Sequence, residues 1–149
     1  MSLTPNFPFS LEYKVRLYDT DAGGFVFFGN YFRIFSMAKD EYLETRFGSN
    51  FVAYLKQRGL ALPTTEAFAK FHKGAKYGET LKLTTSVEIL NPKAVRFQYR
   101  ALNAKDESVL FAEGQSVSVM ISTETGRSTE IPSDVLQSIT NQVASKKET

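Results

Sequence analysis

The sequence predicts an α+β protein in which most of an antiparallel sheet follows two helices. Three observations support this class: a long amphipathic helix over residues 31–47, consecutive strands joined by short turns over residues 81–121, and helices that lie outside that run. The long helix has to bury its apolar stripe. A curved sheet wrapped around this helix is the simplest arrangement that does so.

The chain begins with a strand. Apolar residues at every second position, Leu11, Tyr13, Val15 and Leu17, alternate with charged residues, which is typical of a strand with one buried face. A segment with two aspartates and a glycine pair ends this strand.

The long helix follows over residues 31–47. Its apolar stripe recurs at intervals of three and four residues, and Gly48 is its predicted end; the stripe comprises Tyr31, Ile34, Phe35, Ala38, Tyr42 and Leu43. Phe32 and Phe35 are both interpreted as core residues. A second helix is predicted over residues 51–58, with Ser49 or Asn50 as its N-cap and Gly59 as its terminator.

The remaining elements complete the sheet. We interpret residues 61–73 as a strand, and clearer alternation predicts strands over residues 81–89, 95–101 and 109–121. Turns are predicted at residues 91–93 and 103–108, and a bulge at Gly114. Apolar spacing predicts a terminal helix over residues 135–143, followed by a frayed polar tail over residues 144–149.

Length, composition and charge exclude several classes of function. The 149 residues fit a single domain, residues 1–149, and the absence of cysteine excludes disulfides and thiolate chemistry. One histidine, His72, does not suffice for a histidine-rich metal site and makes a Ser-His-Asp triad implausible, so we interpret it as structural. A net charge of +2 gives no reason to expect a nucleic-acid partner. No signal peptide and no membrane span are indicated, so a cytoplasmic protein is expected.

The segment before the long helix contains the candidate catalytic groups. Asp19 and Asp21 precede Gly23 and Gly24, and glycine lets the backbone approach a ligand closely. The N-terminus of the next helix offers unpaired N–H groups and a positive dipole end. An acid beside such donors can attack a carbonyl, or direct water onto it, which indicates acyl transfer to water. On spacing alone, however, Asp21 is more commonly a turn residue that caps backbone amides.

This segment resembles the hotdog-fold acyl-CoA thioesterases of the 4-hydroxybenzoyl-CoA thioesterase family, and most closely the branch associated with the Tol–Pal operon. The resemblance rests on Asp19-Thr20-Asp21-Ala22-Gly23-Gly24 leading into Asn30-Tyr31, and it extends more weakly over roughly residues 9–135. It implies a hotdog fold, in which an antiparallel sheet wraps around a long central helix. It also implies hydrolysis of an acyl-CoA thioester to a free acid and coenzyme A.

By position in this motif, Asp21 matches the catalytic carboxylate of the family, and the backbone N–H of Phe28 matches the amide that polarises the thioester carbonyl. Asp21 acts either as a nucleophile or as a general base, and the sequence leaves both open. Asp19 is interpreted as structural. The Tol–Pal branch usually has histidine where this chain has Phe28, so any role of that imidazole is lost here.

The resemblance places the active site at a dimer interface and therefore implies a homodimer or a tetramer. No metal and no redox cofactor are expected, since coenzyme A enters only as part of the substrate. The candidate substrate-binding residues before and within the helix are Gly24, Phe25, Phe27 and Tyr31. The basic candidates for the phosphates of coenzyme A are Lys73, Lys76 and Arg96.

Two other functions remain possible at this point. A hotdog enoyl-CoA hydratase usually relies on an aspartate and a histidine, and His72 is poorly placed in the sequence to supply the second. The other is a non-catalytic, regulatory module that only binds acyl-CoA. A thiol-release assay separates both from a thioesterase.

Overall fold

The computed structural model describes residues 9–48 and 50–140 and confirms the α+β class. A short 3-10 turn, Leu17–Asp19, follows the first strand. The helices are α1 (Asn30–Phe47), α2 (Phe51–Gln57) and α3 (Ser133–Thr140). The strands are β1 (Phe9–Lys14), β2 (Leu60–Ala61), β3 (Thr64–Phe71), β4 (Thr80–Asn91), β5 (Ala94–Asn103), β6 (Asp106–Val119) and β7 (Ile121–Ser122).

Five strands form the main sheet in the order β1-β4-β5-β6-β3, and β2 pairs with β7 separately. β1 runs antiparallel to β4, with Leu11 opposite Leu83. Both predicted turns are present, but the second is shorter than the predicted residues 103–108, because β6 already begins at Asp106. The two turns are stabilised by the same kind of hydrogen bond. The side-chain oxygen of Asn91 accepts a hydrogen bond from the Lys93 amide at 2.8 Å, and that of Asn103 accepts one from the Lys105 amide at 2.9 Å.

The chain divides into two compact units. The first contains the described parts of Met1–Lys39, Phe68–Ser86 and Gln98–Gln115. There, Tyr31 and Phe35 at the start of α1 contact strand aromatics: the Phe35 ring stacks on Tyr99 with centroids 5.0 Å apart, and Tyr31 lies 5.6 Å from Phe71.

The second unit contains Asp40–Ala67, Val87–Phe97 and the described part of Ser116–Thr149. The Tyr42 ring packs edge-on against Phe97 at 6.2 Å, and its hydroxyl donates to the Ile139 carbonyl at 2.6 Å, which attaches α3 to α1. Tyr54 of α2 donates to the Asp134 carboxylate, a second attachment of α3.

All six residues of the predicted helical stripe are buried, as expected. The interpretation of Phe32 as a core residue is wrong, because its side chain is 40% exposed. Successive helical residues are rotated by about 100°, so Phe32 leaves the face that Tyr31 and Phe35 share. Leu17 is also not a buried strand residue. It is 69% exposed, because the strand ends at Lys14 and the chain then enters the 3-10 turn.

The single strand predicted over residues 61–73 is divided into β2 and β3. The strand predicted over residues 109–121 likewise ends at Val119, and Ile121 belongs to β7. Gly114 lies within β6, where an added Cβ atom would lie 2.8 Å from the Phe35 ring and 2.9 Å from the Phe68 carbonyl oxygen. Close packing therefore accounts for this glycine.

The described residues include some, but not all, of the predicted ends of α2 and α3. Asn50 is the N-cap of α2, but its side chain makes no capping hydrogen bond, and the alternative cap Ser49 lies outside the described residues. Gly59 follows α2 with a φ of 69°, as expected of a terminator. The terminal helix is confirmed as far as Thr140, and the tail predicted over residues 144–149 lies outside the described part of the chain.

Candidate active site

The side chain of Asp19, at the end of the 3-10 turn, is fully buried. Its carboxylate accepts hydrogen bonds from the Tyr13 hydroxyl at 2.7 Å and from the Arg16 amide at 2.9 Å, and it forms an ion pair with Arg33. Strand β1, the 3-10 turn and helix α1 are thereby joined at one side chain. The interpretation of Asp19 as structural agrees with this arrangement.

The backbone of Asp19 also fixes the start of α1. Its carbonyl accepts hydrogen bonds from the Phe27 amide at 2.9 Å and from the Asn30 side-chain amide at 2.8 Å. Asn30 is the first residue of α1, so both ends of the segment between Asp19 and the helix are held.

Asp21 lies on the outside of this segment and is exposed. Its Oδ1 accepts from the Gly23 amide at 2.9 Å and, more weakly, from the Phe25 amide at 3.4 Å. A backbone bond from the Asp21 amide to the Phe25 carbonyl, 2.8 Å long, closes the loop. One carboxylate oxygen is thus used in the turn, and Oδ2 has no hydrogen-bond partner among the described residues.

The backbone N–H of Phe28, at the entrance to α1, donates to no acceptor within the described part of the chain, and the same holds for Gly29. The Asn30 amide is the first in this run with a partner, the Phe27 carbonyl at 2.8 Å. Two free donors therefore stand at the positive end of the α1 dipole.

A pocket of about 250 Å³, which Phe28 helps to line, lies entirely within the first unit. Its lining residues are Val26, Phe28, Tyr31, Phe71, His72, Lys73 and Gly74. The rings of Phe28 and Phe71 meet edge-on at 6.0 Å, so aromatic side chains form much of the wall. Sequence reasoning misses Phe71 as a pocket residue, because an aromatic side chain in a strand without alternation does not indicate a pocket.

Tyr31 is the most deeply buried aromatic residue of this wall, with 3% of its surface exposed. Burial, with a smaller contribution from the negative charge of Glu79, raises the pKa of its hydroxyl to about 12. The hydroxyl is therefore protonated throughout the physiological pH range.

The other candidates before the helix lie near the pocket without lining it. The Phe25 ring covers Gly74, where an added Cβ atom would lie 2.5 Å from Phe25 Cδ1. The Phe27 ring packs against Phe28, with centroids 4.8 Å apart. Gly24 has a φ of 85°, which favours glycine, and its carbonyl accepts from the Tyr77 amide at 3.4 Å. Asp21 is not a lining residue of the pocket of its own chain.

The three basic candidates are in different surroundings. Lys73 lines the pocket, and its ammonium group has no carboxylate within ion-pair distance in the described residues. Lys76 pairs with Phe25 through a backbone bridge. Arg96 lies in the second unit, on β5, where it forms an ion pair with Glu88 at 2.8 Å. Lys73 and Lys76 thus belong to the first unit and Arg96 to the second.

His72 borders the pocket, and its imidazole pairs with Glu113 of β6. Its Nε2 lies 2.8 Å from Glu113 Oε2. In the described residues, no group of three or more His, Cys, Asp or Glu side chains could hold a metal ion, and no helix is long and apolar enough to cross a membrane.

Comparison with known protein families gives a match over most of the chain. The model of the thioesterase-like superfamily matches residues 15–139. A protein of Aquifex aeolicus (strain VF5), named provisionally as an esterase, is 29% identical over 132 residues, which cover 87% of this chain and 96% of that protein. A 1,4-dihydroxy-2-naphthoyl-CoA hydrolase of Thermosynechococcus vestitus is 28% identical over 107 residues, covering 72% of this chain and 73% of the relative.

Solved structures agree with this match. A 1,4-dihydroxy-2-naphthoyl-CoA thioesterase from Synechocystis superposes with a TM-score of 0.80 at 23% identity, over 88% of this chain and 94% of that one. The family match and this superposition confirm the predicted hotdog thioesterase fold. The wrapping of the sheet around α1 as a central helix stays a prediction, as does the single domain over residues 1–149.

Proposed function

Because the chain belongs to the thioesterase-like superfamily, we propose that it hydrolyses an acyl-CoA thioester to a free acid and coenzyme A. The observation that carries the proposal is the unpaired backbone N–H of Phe28, a residue that lines the aromatic pocket and lies just before α1. Free N–H donors at a helix N-terminus stabilise the negative charge that develops on a carbonyl oxygen under attack.

In the proposed reaction the thioester carbonyl oxygen accepts a hydrogen bond from the Phe28 N–H, and Asp21 supplies the carboxylate. As a nucleophile, Asp21 attacks the carbonyl carbon, the thiolate of coenzyme A leaves and takes up a proton, and water hydrolyses the resulting anhydride. As a general base, Asp21 instead removes a proton from the attacking water. The free Oδ2 is available for either role, while Oδ1 holds the turn.

We propose an aromatic acyl group. The rings of Phe28, Tyr31 and Phe71 line the pocket, and flat apolar walls suit a planar ring. The names of relatives from Thermosynechococcus vestitus and Synechocystis give a dihydroxynaphthoyl thioester as their substrate, which agrees with this choice. Membership of the 4-hydroxybenzoyl-CoA or Tol–Pal branch remains a finer prediction.

For the coenzyme A moiety, Lys73 is the best supported of the three basic candidates, since it lines the pocket and forms no ion pair among the described residues. Lys76 remains a candidate on the same segment. Arg96 would first have to release Glu88, which weakens its case. The proposed chemistry needs neither a metal nor a redox cofactor, since the carboxylate and the amide supply it, and we place the reaction in the cytoplasm.

A homodimer, or a tetramer built from it, is part of the proposal. β3 lies at one edge of the sheet, and its exposed side chains include Phe68 and Phe71. An exposed edge with apolar side chains favours pairing with a strand of a second copy. Sedimentation velocity of the purified protein distinguishes monomer, dimer and tetramer.

Thiol release from a panel of acyl-CoA thioesters tests the activity, with Asp21→Asn as the diagnostic variant. We expect the wild type to release thiol and Asp21→Asn to lose at least a hundredfold in kcat while remaining folded. Asp106→Asn is a matched control, because Asp106 also accepts from the amide two residues later, at 3.2 Å, and is given no catalytic role. Because the Asp106 carboxylate interacts with the charge of Lys73, the control is judged on kcat, which should stay at the wild-type value.

Each alternative gives a different result. Saturable binding without turnover by the wild type would indicate a regulatory module, and hydration of an enoyl-CoA without thiol release would indicate a hydratase. A fully active Asp21→Asn variant would remove Asp21 from the mechanism.

A further inference from the structure

The ring of Phe25 occupies the space into which a side chain at position 74 would point. A Cβ atom added to Gly74 would lie 2.5 Å from Phe25 Cδ1 and 3.1 Å from its Cγ, closer than ordinary van der Waals contact. Rotation of the ring about the Cβ–Cγ bond leaves Cγ in place, so a larger residue at position 74 displaces the whole side chain of Phe25. The φ of Gly74 is not positive, so its backbone conformation does not require glycine. The contact with the Phe25 ring does require it.

Phe25 is also connected to Asp21 by two hydrogen bonds. The Asp21 amide donates to the Phe25 carbonyl at 2.8 Å, and the Phe25 amide donates to Asp21 Oδ1 at 3.4 Å. The other donor to Oδ1 is the Gly23 amide, at 2.9 Å. A displacement of the Phe25 backbone therefore acts on the position of the Asp21 carboxylate, and with it on the Oδ2 atom that the proposed reaction uses.

Gly74 belongs to the wall of the pocket. Next to the ring contact, the Val26 amide donates to the Ala75 carbonyl at 2.8 Å, and Phe25 forms a backbone bridge with Lys76. All five residues lie in the first unit. The loop that carries Asp21 is thus attached to the pocket wall by backbone bonds at residues 75 and 76 and by a side-chain contact at residue 74.

We propose that Phe25 is a positioning residue, whose ring, packed on Gly74, holds the Asp21 carboxylate in place relative to the pocket. The sequence predicts a substrate-binding role for Phe25, but its ring does not line the pocket. The inference rests on the proposed thioesterase function and adds to it a residue that acts through Asp21. A misplacement of a catalytic group by about 1 Å can cost about a hundredfold in rate. Binding of the substrate does not depend on that placement, so the effect falls on kcat and not on KM.

The test compares Phe25→Ala, which removes the ring, with Gly74→Ala, which displaces it. Thiol release is measured with benzoyl-CoA, hexanoyl-CoA and palmitoyl-CoA, and the thioester with the highest wild-type kcat/KM is used for the variants. Both variants should lower kcat by about tenfold and change KM by less than about threefold. Phe32→Ala is the matched control, because the ring of Phe32 is 40% exposed, against 41% for Phe25, and has no role in the site. Its kcat should stay at the wild-type value.

The double variant Phe25→Ala/Gly74→Ala shows whether the two residues act through one contact. Once the ring is absent, the methyl group at position 74 has nothing to displace. The kcat of the double variant should therefore equal that of Phe25→Ala, instead of falling by the product of the two single effects. Circular dichroism checks that all variants are folded.

Amide hydrogen exchange supplies a readout that does not depend on turnover. The Asp21 amide is bonded to the Phe25 carbonyl, whereas the Phe27 amide is held by the Asp19 carbonyl at 2.9 Å. In Phe25→Ala and in Gly74→Ala the Asp21 amide should exchange about tenfold faster than in the wild type, and the Phe27 amide should change by less than about twofold.

Three results would overturn the inference. A raised KM with an unchanged kcat in Phe25→Ala would show that the ring binds substrate. Multiplied effects in the double variant would show that the methyl group at position 74 acts through the pocket and not through the ring. Wild-type kcat and wild-type Asp21 exchange in Gly74→Ala would show that the contact does not control the loop.

Failure of the proposed function has a different signature. In that case the wild type releases no thiol from any of the three thioesters, and the role of Phe25 in that reaction is rejected with it, whatever the exchange rates. If the wild type is active and both single variants keep its kcat, the thioesterase stands and only the positioning role of Phe25 is rejected.

Discussion

Replacement of Asp19 by asparagine should destabilise the protein through the loss of one charge. The carboxylate is fully buried and accepts from Tyr13, from the Arg16 amide and from Arg33. Asparagine keeps one acceptor oxygen, but its NH₂ group would face a donor. At least one of the three donors therefore loses its partner.

The expected cost can be estimated from these contacts. A hydrogen bond to a charged group contributes about 1.5–3 kcal/mol, and breaking a buried ion pair costs about 3–5 kcal/mol. Arg33 is 49% exposed and regains water when its partner is lost, which lowers the second figure. We therefore expect Asp19→Asn to reduce the free energy of unfolding by about 3 kcal/mol.

Urea denaturation measures this loss, with Asp21→Asn as the control from the same loop. Asp21 is exposed, and an asparagine oxygen can accept from the Gly23 amide in its place, so the control should lose less than about 1 kcal/mol. The reasoning is refuted if Asp19→Asn is within about 1 kcal/mol of the wild type, or if both variants lose the same amount.

Two further predictions concern packing and pH. Gly114→Ala should cost about 1–3 kcal/mol in urea denaturation, because its Cβ would collide with the Phe35 ring and the Phe68 carbonyl; a loss below about 0.5 kcal/mol would contradict that packing. In the unfolded chain Tyr31 ionises near its ordinary pKa of 10.0, and in the folded protein near about 12. Its contribution to stability is therefore present below pH 10 and lost as the pH rises towards about 12. The wild type should accordingly lose stability relative to Tyr31→Phe between about pH 9 and pH 11 in urea denaturation, whereas a constant difference would argue against the raised pKa.

The sequence predicted best those elements whose burial is regular. Helix α1 buries one continuous apolar stripe. The β4–β5 turn and the β5–β6 turn each have an asparagine whose side-chain oxygen accepts a hydrogen bond from the amide two residues later. Local periodicity and turn chemistry determine these features. The error at residues 61–73 has the opposite cause. Nearly every side chain of β3 is exposed, so it has no alternation, and β2 exists because it pairs with the distant β7.

The sequence indicates the loop residues of the candidate site, Asp21 and Phe28, much better than it indicates the residues that line the pocket. The Asp-rich segment is continuous in sequence, so its resemblance to thioesterases placed Asp21 and Phe28 together. The pocket depends on tertiary contacts: Phe71 reaches Tyr31 only because the end of β3 and the start of α1 are neighbours within the first unit. Positive charge and a position near a predicted turn group Arg96 with the lysines, whereas its partner Glu88 follows only from the pairing of β4 with β5.

The double anchoring by Asp19 has a consequence for protein engineering. Since its carboxylate and its carbonyl hold the chain on both sides of residues 20–26, the exposed side chains between them contribute little to folding. Mutational libraries at the exposed positions of residues 20–26 should therefore yield mostly folded protein. Stability and the identity of the exposed loop side chains are therefore largely independent, which allows one fold to change its loop without unfolding.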